Sequence, residues 1–320
     1  MGMTRALMVA MVALFVSAAG AQDYPSRPIK LLVPIPPGGA PDLVARVIGL
    51  KLAESFGQQV VVENRTGANG NIAAEATAKA APDGYTLMLC ADSQIVINPH
   101  LYKRLSFDPL KDLSVIATLV SNEFVLAINP ALPAKTFQEF IALARNASPP
   151  LVYASGGNGS QHHLTMEMLK ARASINLVHV PYKGGTPAAV ATVAGEAAAV
   201  FAGASSAPQI KAGRLRAIAV AGAERSKLFP DLPTIGEFYP GFRNSIWLAL
   251  CAPAGLPEAI AGRLRSEVNK VLTQSDIKER FSNAGGVEPF VTTPVELAAL
   301  IQSDFAKYGK VVKDIGAVVD

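Results

Sequence analysis

The stretch VPIPPGGAPDLVARVIG at residues 33–49 lies where a strand-like segment gives way to a helix-like one. The segment IKLLVPI at 29–35 is almost continuously apolar, which is typical of a strand buried on both faces. After the glycines, Val44, Ile48 and Leu52 recur every four residues, the spacing of one buried helix face. A buried strand that passes through a glycine loop into an amphipathic helix indicates the first unit of an α/β fold.

The same alternation continues along most of the chain. We predict further strands at 58–65, 85–90, 124–130, 151–155, 175–182, 197–203, 214–222 and 246–253, and helices at 71–80, 136–147, 160–173, 186–195, 257–273 and 293–316. Strands separated by helices predict mainly parallel sheets flanked by helices. Because the pattern restarts near residue 124, we expect two lobes joined by crossing strands, with 22–123 and 246–320 in lobe 1 and 124–245 in lobe 2.

Residues 1–21 are typical of a secretory signal peptide. Arg5 supplies a positive charge, residues 6–16 form an apolar core, and small residues precede a predicted cleavage site after Ala21. A membrane anchor is the alternative, but the apolar run is short for a bilayer. No cysteine follows the cleavage site directly, which disfavours a lipoprotein. We therefore expect a periplasmic protein with no membrane insertion after cleavage.

Composition disfavours nucleic acid and membrane surfaces as partners. The formal net charge is only +4 at pH 7, and the 29 Lys and Arg residues are scattered rather than clustered. The chain therefore lacks the basic patch that nucleic acid or an acidic membrane would require. Its 50% apolar and 7% aromatic residues suit an α/β protein rich in Ala, Val and Leu. We expect a monomer that binds no nucleic acid.

Three glycine loops precede predicted helices, and we call them the first, second and third glycine loops. They are 36–39 (PPGG), 155–160 (SGGNGS) and 183–185 (KGG). We expect Pro41 and Pro187 to be the first residues of their helices, because proline suits that position. Ser160 and Thr186 are the expected N-caps.

Each glycine loop offers main-chain groups for an anion. The first turn of a helix has unpaired N–H groups and a partial positive charge. Glycine removes the side chain that would keep a carboxylate at a distance. One such loop would be ordinary turn chemistry, whereas three at strand-to-helix junctions favour a binding site. Two helix starts that face each other across a cleft could hold an acid from both sides.

The motifs of phosphate-binding and hydrolytic enzymes do not fit these junctions. Neither GxxxxGK[ST], GxGxxG nor the GxSxG elbow occurs at a strand–helix turn here. His162 and His163 are adjacent, so on a helix they point about 100° apart and cannot chelate one metal together. We expect packing or surface roles for both, and we predict no catalytic residue, metal or cofactor.

Three further polar residues lie beside the predicted loops. Asp42, in the first turn of its helix, is expected to complement the helix dipole, and contact with a ligand's ammonium group is the alternative. Ser205 and Ser206 follow a predicted strand, so they would either line the site or cap the next helix.

The chain has two cysteines, Cys90 and Cys251, each within a predicted strand. Two cysteines form no disulfide framework, and their apolar surroundings favour two buried thiols. A bridge is the alternative if the two strands are neighbours in a sheet.

Five segments of the chain match the motifs of a known family. They are YPSRPIKLLVPIPPGGAPDLVAR (24–46), VVVENRTGANGNIAAEATAKAAPDGYTL (60–87), YASGGNGSQHHLTMEML (153–169), HVPYKGGTPA (179–188) and APAGLP (252–257). In this order and spacing, the chain resembles the Bug family of periplasmic substrate-binding proteins, which are associated with tripartite tricarboxylate transporters. The resemblance covers essentially the whole chain after the signal peptide.

The resemblance implies a two-lobed type II periplasmic-binding-protein fold, a Venus flytrap that closes on a small carboxylated solute and has no catalytic residues. In the family the carboxylate is held near the first glycine loop by main-chain groups and ordered waters. The second glycine loop supplies contacts from the second lobe, and the PYKG segment borders the cleft. The implied ligand-binding residues are Pro36, Pro37, Gly38, Gly39, Ser155, Gly156, Gly157, Asn158, Gly159, Ser160, Tyr182, Lys183 and Gly184. The same architecture places the strands of Cys90 and Cys251 side by side, so it implies a disulfide that can be tested.

The family resemblance implies capture of a small carboxylated organic solute and its delivery to transiently bound permease subunits in the membrane. A periplasmic sensing module for a signalling partner is one alternative. An exported enzyme that acts on small organic acids is a weaker one, because no set of nucleophile and general base is visible. Solute uptake is the function we expect.

One departure from the family concerns ligand identity. Relatives often carry an Asp-Asn pair after the corresponding strand, where this chain has the segment Phe201-Ala202-Gly203. A side-chain contact from that loop is therefore not implied here. Family ligands include dicarboxylates, tricarboxylates, acidic amino acids, nicotinic compounds and aromatic acids, and the sequence does not choose among them.

Overall fold

The computed structural model describes residues 24–283 and 287–319. The predicted signal peptide at 1–21 lies outside the described residues. Within the described ranges, no helix has the length and apolar character needed to cross a membrane.

The described strands form two sheets. In chain order they are β1 (Ile29–Val33), β2 (Val60–Asn64), β3 (Thr86–Ala91), β4 (Leu113–Glu123), β5 (Val125–Ile128), β6 (Leu151–Ser155), β7 (Leu177–Pro181), β8 (Ala199–Ala202), β9 (Arg216–Val220), β10 (Ser245–Pro253) and β11 (Glu288–Pro289). The first sheet has the order β11-β4-β10-β3-β1-β2, and the second has the order β7-β6-β8-β5-β9.

Helices connect and cover these strands. They are α1 (Ala40–Phe56), α2 (Asn71–Ala78), α3 (Asn98–Leu101), α4 (Pro109–Asp112), α5 (Phe137–Asn146), α6 (Gln161–Ala173), α7 (Gly185–Ala194), α8 (Ala207–Lys211), α9 (Glu258–Thr273), α10 (Ser275–Asn283) and α11 (Pro294–Ile315). A turn of π-helix at Ser93–Ile97 leads into α3.

Each sheet has a parallel side, as the alternating sequence pattern predicts, and an antiparallel side. β1 is parallel to β2 and β3, so Leu31 lies between Val62 and Leu87. In the second sheet, β6 is parallel to β7 and β8. The exceptions are β5, β10 and β11, which run against their neighbours. The architecture is therefore mixed α/β with two helix-flanked sheets.

Helix α1 forms where the hydrophobic spacing predicts it. Val44, Ile48 and Leu52 are buried in the core of the first sheet, in one hydrophobic cluster with residues of β1 and β3. Gly57 ends the helix with φ 65°, a left-handed conformation that glycine adopts without strain. The helix thus fixes the first glycine loop at the carboxyl end of β1.

The two sheets are connected by crossing segments. β4 continues through Phe124 directly into β5, and the chain returns through Asn244 into β10. The N–H of Asn244 donates to the carbonyl of Ala221 at 2.7 Å, which ties the return segment to the end of β9. These segments lie where the two halves of the molecule meet.

A disulfide joins Cys90 on β3 to Cys251 on β10, with the Cα atoms 6.0 Å apart. The two strands are antiparallel neighbours, as the family architecture implies. The apolar context of each cysteine taken alone favours two free thiols, and that expectation is wrong. Because the cysteines are 161 positions apart in the chain, no local pattern reveals their adjacency.

Candidate functional site

A cavity of about 270 Å³ lies between elements of the first sheet and elements of the second. The first glycine loop lines it from the carboxyl end of β1, except Gly38. The third glycine loop lines it from the carboxyl end of β7. The crossing segments add Asn122, Phe124 and Ile246. Two of the three predicted glycine loops therefore meet at one cavity.

Asp42 braces the first glycine loop from behind. Its carboxylate accepts hydrogen bonds from the Gly38 N–H (3.1 Å), from Asn64 (2.9 Å) and from two nitrogens of Arg46 (both 3.0 Å). Although burial opposes ionisation, the hydrogen bonds from Arg46, Asn64 and Gly38 lower the pKa of Asp42. Asp42 thus stays charged, holds the loop and does not line the cavity.

The start of α1 leaves main-chain donors available. Gly39 is the N-cap residue, and no side chain caps the helix there. Within the described part of the chain, the N–H groups of Gly39 and Ala40 have no protein acceptor, whereas that of Gly38 is used by Asp42. Two donors of the helix start can therefore serve an anion.

Helix α7 begins earlier than the sequence predicts. Gly184, with φ 116°, is its N-cap, and Gly185 is its first residue. The prediction of Thr186 as N-cap and Pro187 as first residue is wrong, because the positive φ of Gly184 starts the turn two residues earlier. The Thr186 hydroxyl instead lies 3.4 Å from that of Ser205, and both residues line the cavity.

Of the three residues that the family resemblance implies in the PYKG segment, two line the cavity and one does not. Lys183 and Gly184 line the cavity, and Lys183 is the one cationic side chain among the described lining residues. Tyr182 is absent from this lining and donates a hydrogen bond from its hydroxyl to Glu196 at 2.9 Å. The Tyr182 hydroxyl is thus directed at Glu196 and not at the cavity.

The second glycine loop lies beside the cavity, and none of residues 155–160 is among the described lining. The carbonyl of Gly159 accepts a hydrogen bond from Asn69 at 3.2 Å. A Cβ atom on Gly159 would lie 1.7 Å from a methyl carbon of Leu101. Gly159 is thus packed against the first half of the molecule, and the predicted contact of residues 155–160 with a ligand stays a prediction.

Side chains hold the second glycine loop in shape. Ser160 caps α6 as predicted, accepting from the N–H of His163 at 3.3 Å. The Ser155 hydroxyl lies 2.6 Å from Nε2 of His179 and accepts from the Gly157 N–H at 3.1 Å. His163 stacks on His179 at 4.1 Å, so the packing role expected for His163 is present.

His162 is a lining residue that the sequence pattern did not single out. Its ring lies 4.6 Å from that of Phe124, and its Nδ1 is sealed from solvent without a hydrogen-bond partner. Burial lowers the pKa of His162 to about 4, so the ring is neutral at neutral pH. Adjacent histidines look alike in sequence, and only the packing of α6 against Gly185 shows which one faces the cavity.

Gly203, in the loop after β8, lines the cavity. A Cβ atom there would meet Asn122 at 3.4 Å and Phe124 at 3.8 Å, both ordinary contact distances. Ala202 is buried in the second sheet. The residues from β8 and the loop after it therefore present no charged group to the cavity.

Comparison with known proteins places the chain in a family. The model of the tripartite tricarboxylate transporter family receptor matches residues 44–317. Protein BugT of Bordetella pertussis is 36% identical over 326 residues, which cover 99% of each chain. A structure of the periplasmic binding protein BugD is 29% identical, with a TM-score of 0.83, and covers 92% of this chain and 99% of its own.

Two similar structures contain acids. An R. palustris protein with adipate is 30% identical, has a TM-score of 0.87, and covers 92% of this chain and 99% of its own. MatC from Rhodopseudomonas palustris, with bound malate, is 32% identical, has a TM-score of 0.81, and covers 90% of this chain and 100% of its own. These likenesses extend over both sheets and identify the type II periplasmic-binding-protein fold. The chain belongs to the tripartite tricarboxylate transporter receptor family, the Bug group of periplasmic substrate-binding proteins.

Proposed function

We propose that this protein captures a small carboxylated solute between two lobes and delivers it to a tripartite tricarboxylate-type permease in the membrane. Lobe 1 comprises 22–123 and 246–320, and lobe 2 comprises 124–245. The observation that carries the proposal is that the starts of α1 and α7, which flank different sheets, line one cavity.

The chemistry of this cavity suits a carboxylate. Helix α1 in one half begins at Gly39 and Ala40, and helix α7 in the other begins at Gly185 and Thr186. The N–H groups of these residues lack intrahelical acceptors. Each helix start also carries a partial positive charge. Lys183 adds a full positive charge at the cavity. The adipate and malate in the similar structures belong to the same chemical class.

Closure couples binding to shape in this proposal. Only the closed form brings both helix starts onto one acid, so the acid shifts the population toward that form. The hydrogen bond from Asn69 to Gly159 and the contact of Gly159 with Leu101 join the two halves beside the cavity. A permease would then recognise the closed, liganded monomer. The predicted signal peptide at 1–21 would deliver the protein to the periplasm.

Two variants at Gly39 test the proposed site. A Cβ atom at Gly39 would meet only the flexible end of Ile35, at 2.7 Å, and the side chain of Pro41, at 3.8 Å. Gly39→Asp adds a carboxylate where the solute's carboxylate would lie, whereas Gly39→Ala adds only the steric change. We expect Gly39→Asp to weaken binding at least about tenfold more than Gly39→Ala, because like charges repel in a cavity of low polarity.

The measurement is calorimetric titration with an acid found in a thermal-shift screen of mono-, di- and tricarboxylates, because ligands that bind the native form raise its melting temperature. Equal affinities of Gly39→Asp and Gly39→Ala would show that the first glycine loop does not hold the carboxylate. Release of the acid chemically unchanged after incubation is expected, and turnover would favour the enzymatic alternative.

A further inference from the structure

The charges around the cavity are one-sided. Among the lining residues that the structure describes, there is no Asp or Glu to balance Lys183. A ligand's ammonium group would therefore lie there without an ionised partner, and an unpaired charge removed from water is costly. This arrangement disfavours amino acids.

The crossing segments give the cavity an apolar wall. Phe124, Ile246 and Leu248 line it, together with Val287 and Ile35. Phe124, Leu248 and Val287 are almost fully buried, so their contact surface faces other apolar groups rather than bulk water. Such a wall favours a ligand whose body is apolar, because a polar group placed against it would lose its hydrogen bonds to water without gaining others.

A second cavity of about 300 Å³ adjoins the first and shares Asn122 and Gly203 with it. Its acidic lining residues are Glu123, Glu224 and Glu288, and its basic ones are Arg225 and Lys227. Both basic residues are already paired, Arg225 with Glu237 and Lys227 with Glu288, at 2.8 Å each.

Burial, together with the charges of Glu288 and Glu224, raises the pKa of Glu123, so further negative charge beside it is disfavoured. A second ligand carboxylate that extended past Gly203 would therefore meet glutamates rather than free cations.

His162 lines the cavity beside the glycine loops, and its Nδ1 has no hydrogen-bond partner. Nδ1 is buried against Gly156, whereas Nε2 lies so close to Gly185 that a Cβ atom there would be 2.3 Å away. Buried N–H donors without acceptors are rarer than unsatisfied acceptors. The neutral ring therefore carries its proton on Nε2, beside the first N–H of α7, and one carboxylate can accept from both donors.

We propose that the cavity selects acids with one carboxylate, an apolar body and no ammonium group, and that the Nε2–H of His162 donates a hydrogen bond to the bound carboxylate. This inference rests on the proposed function and adds the class of solute and the residue that recognises it.

Three six-carbon acids test the class of solute. Hexanoate carries one carboxylate, adipate adds a second, and norleucine adds an α-ammonium group. Calorimetric titrations use the mature protein, freed of copurified solute by unfolding and refolding. The pair 3-phenylpropanoate and phenylalanine repeats the ammonium comparison on a ring. In at least one set, we expect the ammonium-free monocarboxylate to bind at least about tenfold more tightly than the acids that carry a second carboxylate or an ammonium group.

Three variants test the role of His162, with the tightest-binding acid of the panel as probe. His162→Phe keeps a ring against Phe124 but removes the donor, and His162→Gln keeps a donor. His100→Phe makes the same substitution at a partly buried histidine outside the cavity. We expect His162→Phe to lose about tenfold or more in affinity, because hydrogen bonds to charged groups are the stronger ones. His162→Gln should retain most of the affinity, and His100→Phe all of it.

The outcomes separate this inference from the proposed function. If adipate or norleucine, or citrate as a tricarboxylate, binds more tightly than the monocarboxylates, the protein is an acid-binding protein of another class and this inference is wrong. The unfolding midpoint of His162→Phe shows whether this variant is folded. If the folded variant binds as tightly as the wild type, the role proposed for His162 is contradicted. If none of these acids binds, the proposed function fails together with the inference.

Discussion

At the scale of single residues, the cavity depends on which hydrogen bonds are completed and which are left open. Asp42 uses the Gly38 N–H and leaves that of Gly39 available. The sequence predicts a local role for Asp42 in the first helical turn, but not its partner Asn64, which is 22 residues away on β2. The identity of His162 as a lining residue was also out of reach, because it depends on how two helices pack.

A second buried acid lies outside the cavity, at the contact between the two halves. Asp92 is fully buried and accepts a hydrogen bond from Gln161 at the start of α6. Tyr308 on α11 accepts from the same Gln161 amide, at 2.9 Å. Burial and the charge of Asp304 raise the pKa of Asp92 to about 8, although the charge of Lys307 opposes this shift. Asp92 is thus largely protonated in the folded protein at neutral pH.

This burial predicts a pH-dependent effect of Asp92→Asn. Between pH 3.8 and about 8, Asp92 is protonated in the folded chain and ionised in the unfolded chain. The contribution of Asp92 to the free energy of unfolding is therefore complete below pH 3.8 and is lost as the pH rises to about 8. The loss is at most about 1.4 kcal/mol for each pH unit. We expect the difference in melting temperature, that of Asp92→Asn minus that of the wild type, to increase from pH 5 to pH 8.

Thermal unfolding at several pH values checks this expectation. Asp276→Asn serves as the control for the loss of an acid, at an exposed residue at the start of α10 that pairs with Lys51. A difference between Asp92→Asn and the wild type that stays constant from pH 5 to pH 8 would contradict the account of Asp92.

At the scale of elements, hydrophobic spacing predicts most strands and helices, because their buried faces repeat regularly. β4 was not predicted from the sequence. Its pairing with β10 contains register shifts at Leu248/Ala249 and Leu250/Cys251, so its own alternation of apolar residues is interrupted. The glycine loops were predicted at strand-to-helix junctions, but their orientation follows from tertiary contacts. This is why the second loop, although correctly located in the chain, lies beside the cavity.

The second glycine loop gives a prediction about closure. Gly159→Ala adds a methyl group that would overlap Leu101 across the contact between the halves, at a residue with φ +73°. Gly57→Ala introduces similar strain, at φ +65°, with no atom within 4 Å. We expect Gly159→Ala to weaken solute binding at least about tenfold, since the closed form is disfavoured.

Gly57→Ala should lower the melting temperature through backbone strain of about 1 kcal/mol and leave affinity unchanged. Titration of both variants with one acid separates the two effects. Equal affinities would mean that the contact between Gly159 and Leu101 has no part in closure.

At the scale of the whole molecule, the two sheets bring together residues that are far apart in the chain. The sequence and its family resemblance predict the two-sheet architecture, because both the α/β alternation and the motif order extend along the chain. They do not predict which surfaces face the cavity. The apolar wall from the crossing segments arises only when β4, β5 and β10 are in place. The class of acid therefore has to be inferred from the folded molecule.

A crystal structure of the protein with a bound acid tests the central claim most directly. The account predicts carboxylate oxygens within hydrogen-bond distance of the Gly39 or Ala40 N–H on one side and the Gly185 or Thr186 N–H on the other. An acid held by side chains alone, by one half of the molecule only, or outside the cavity would contradict it.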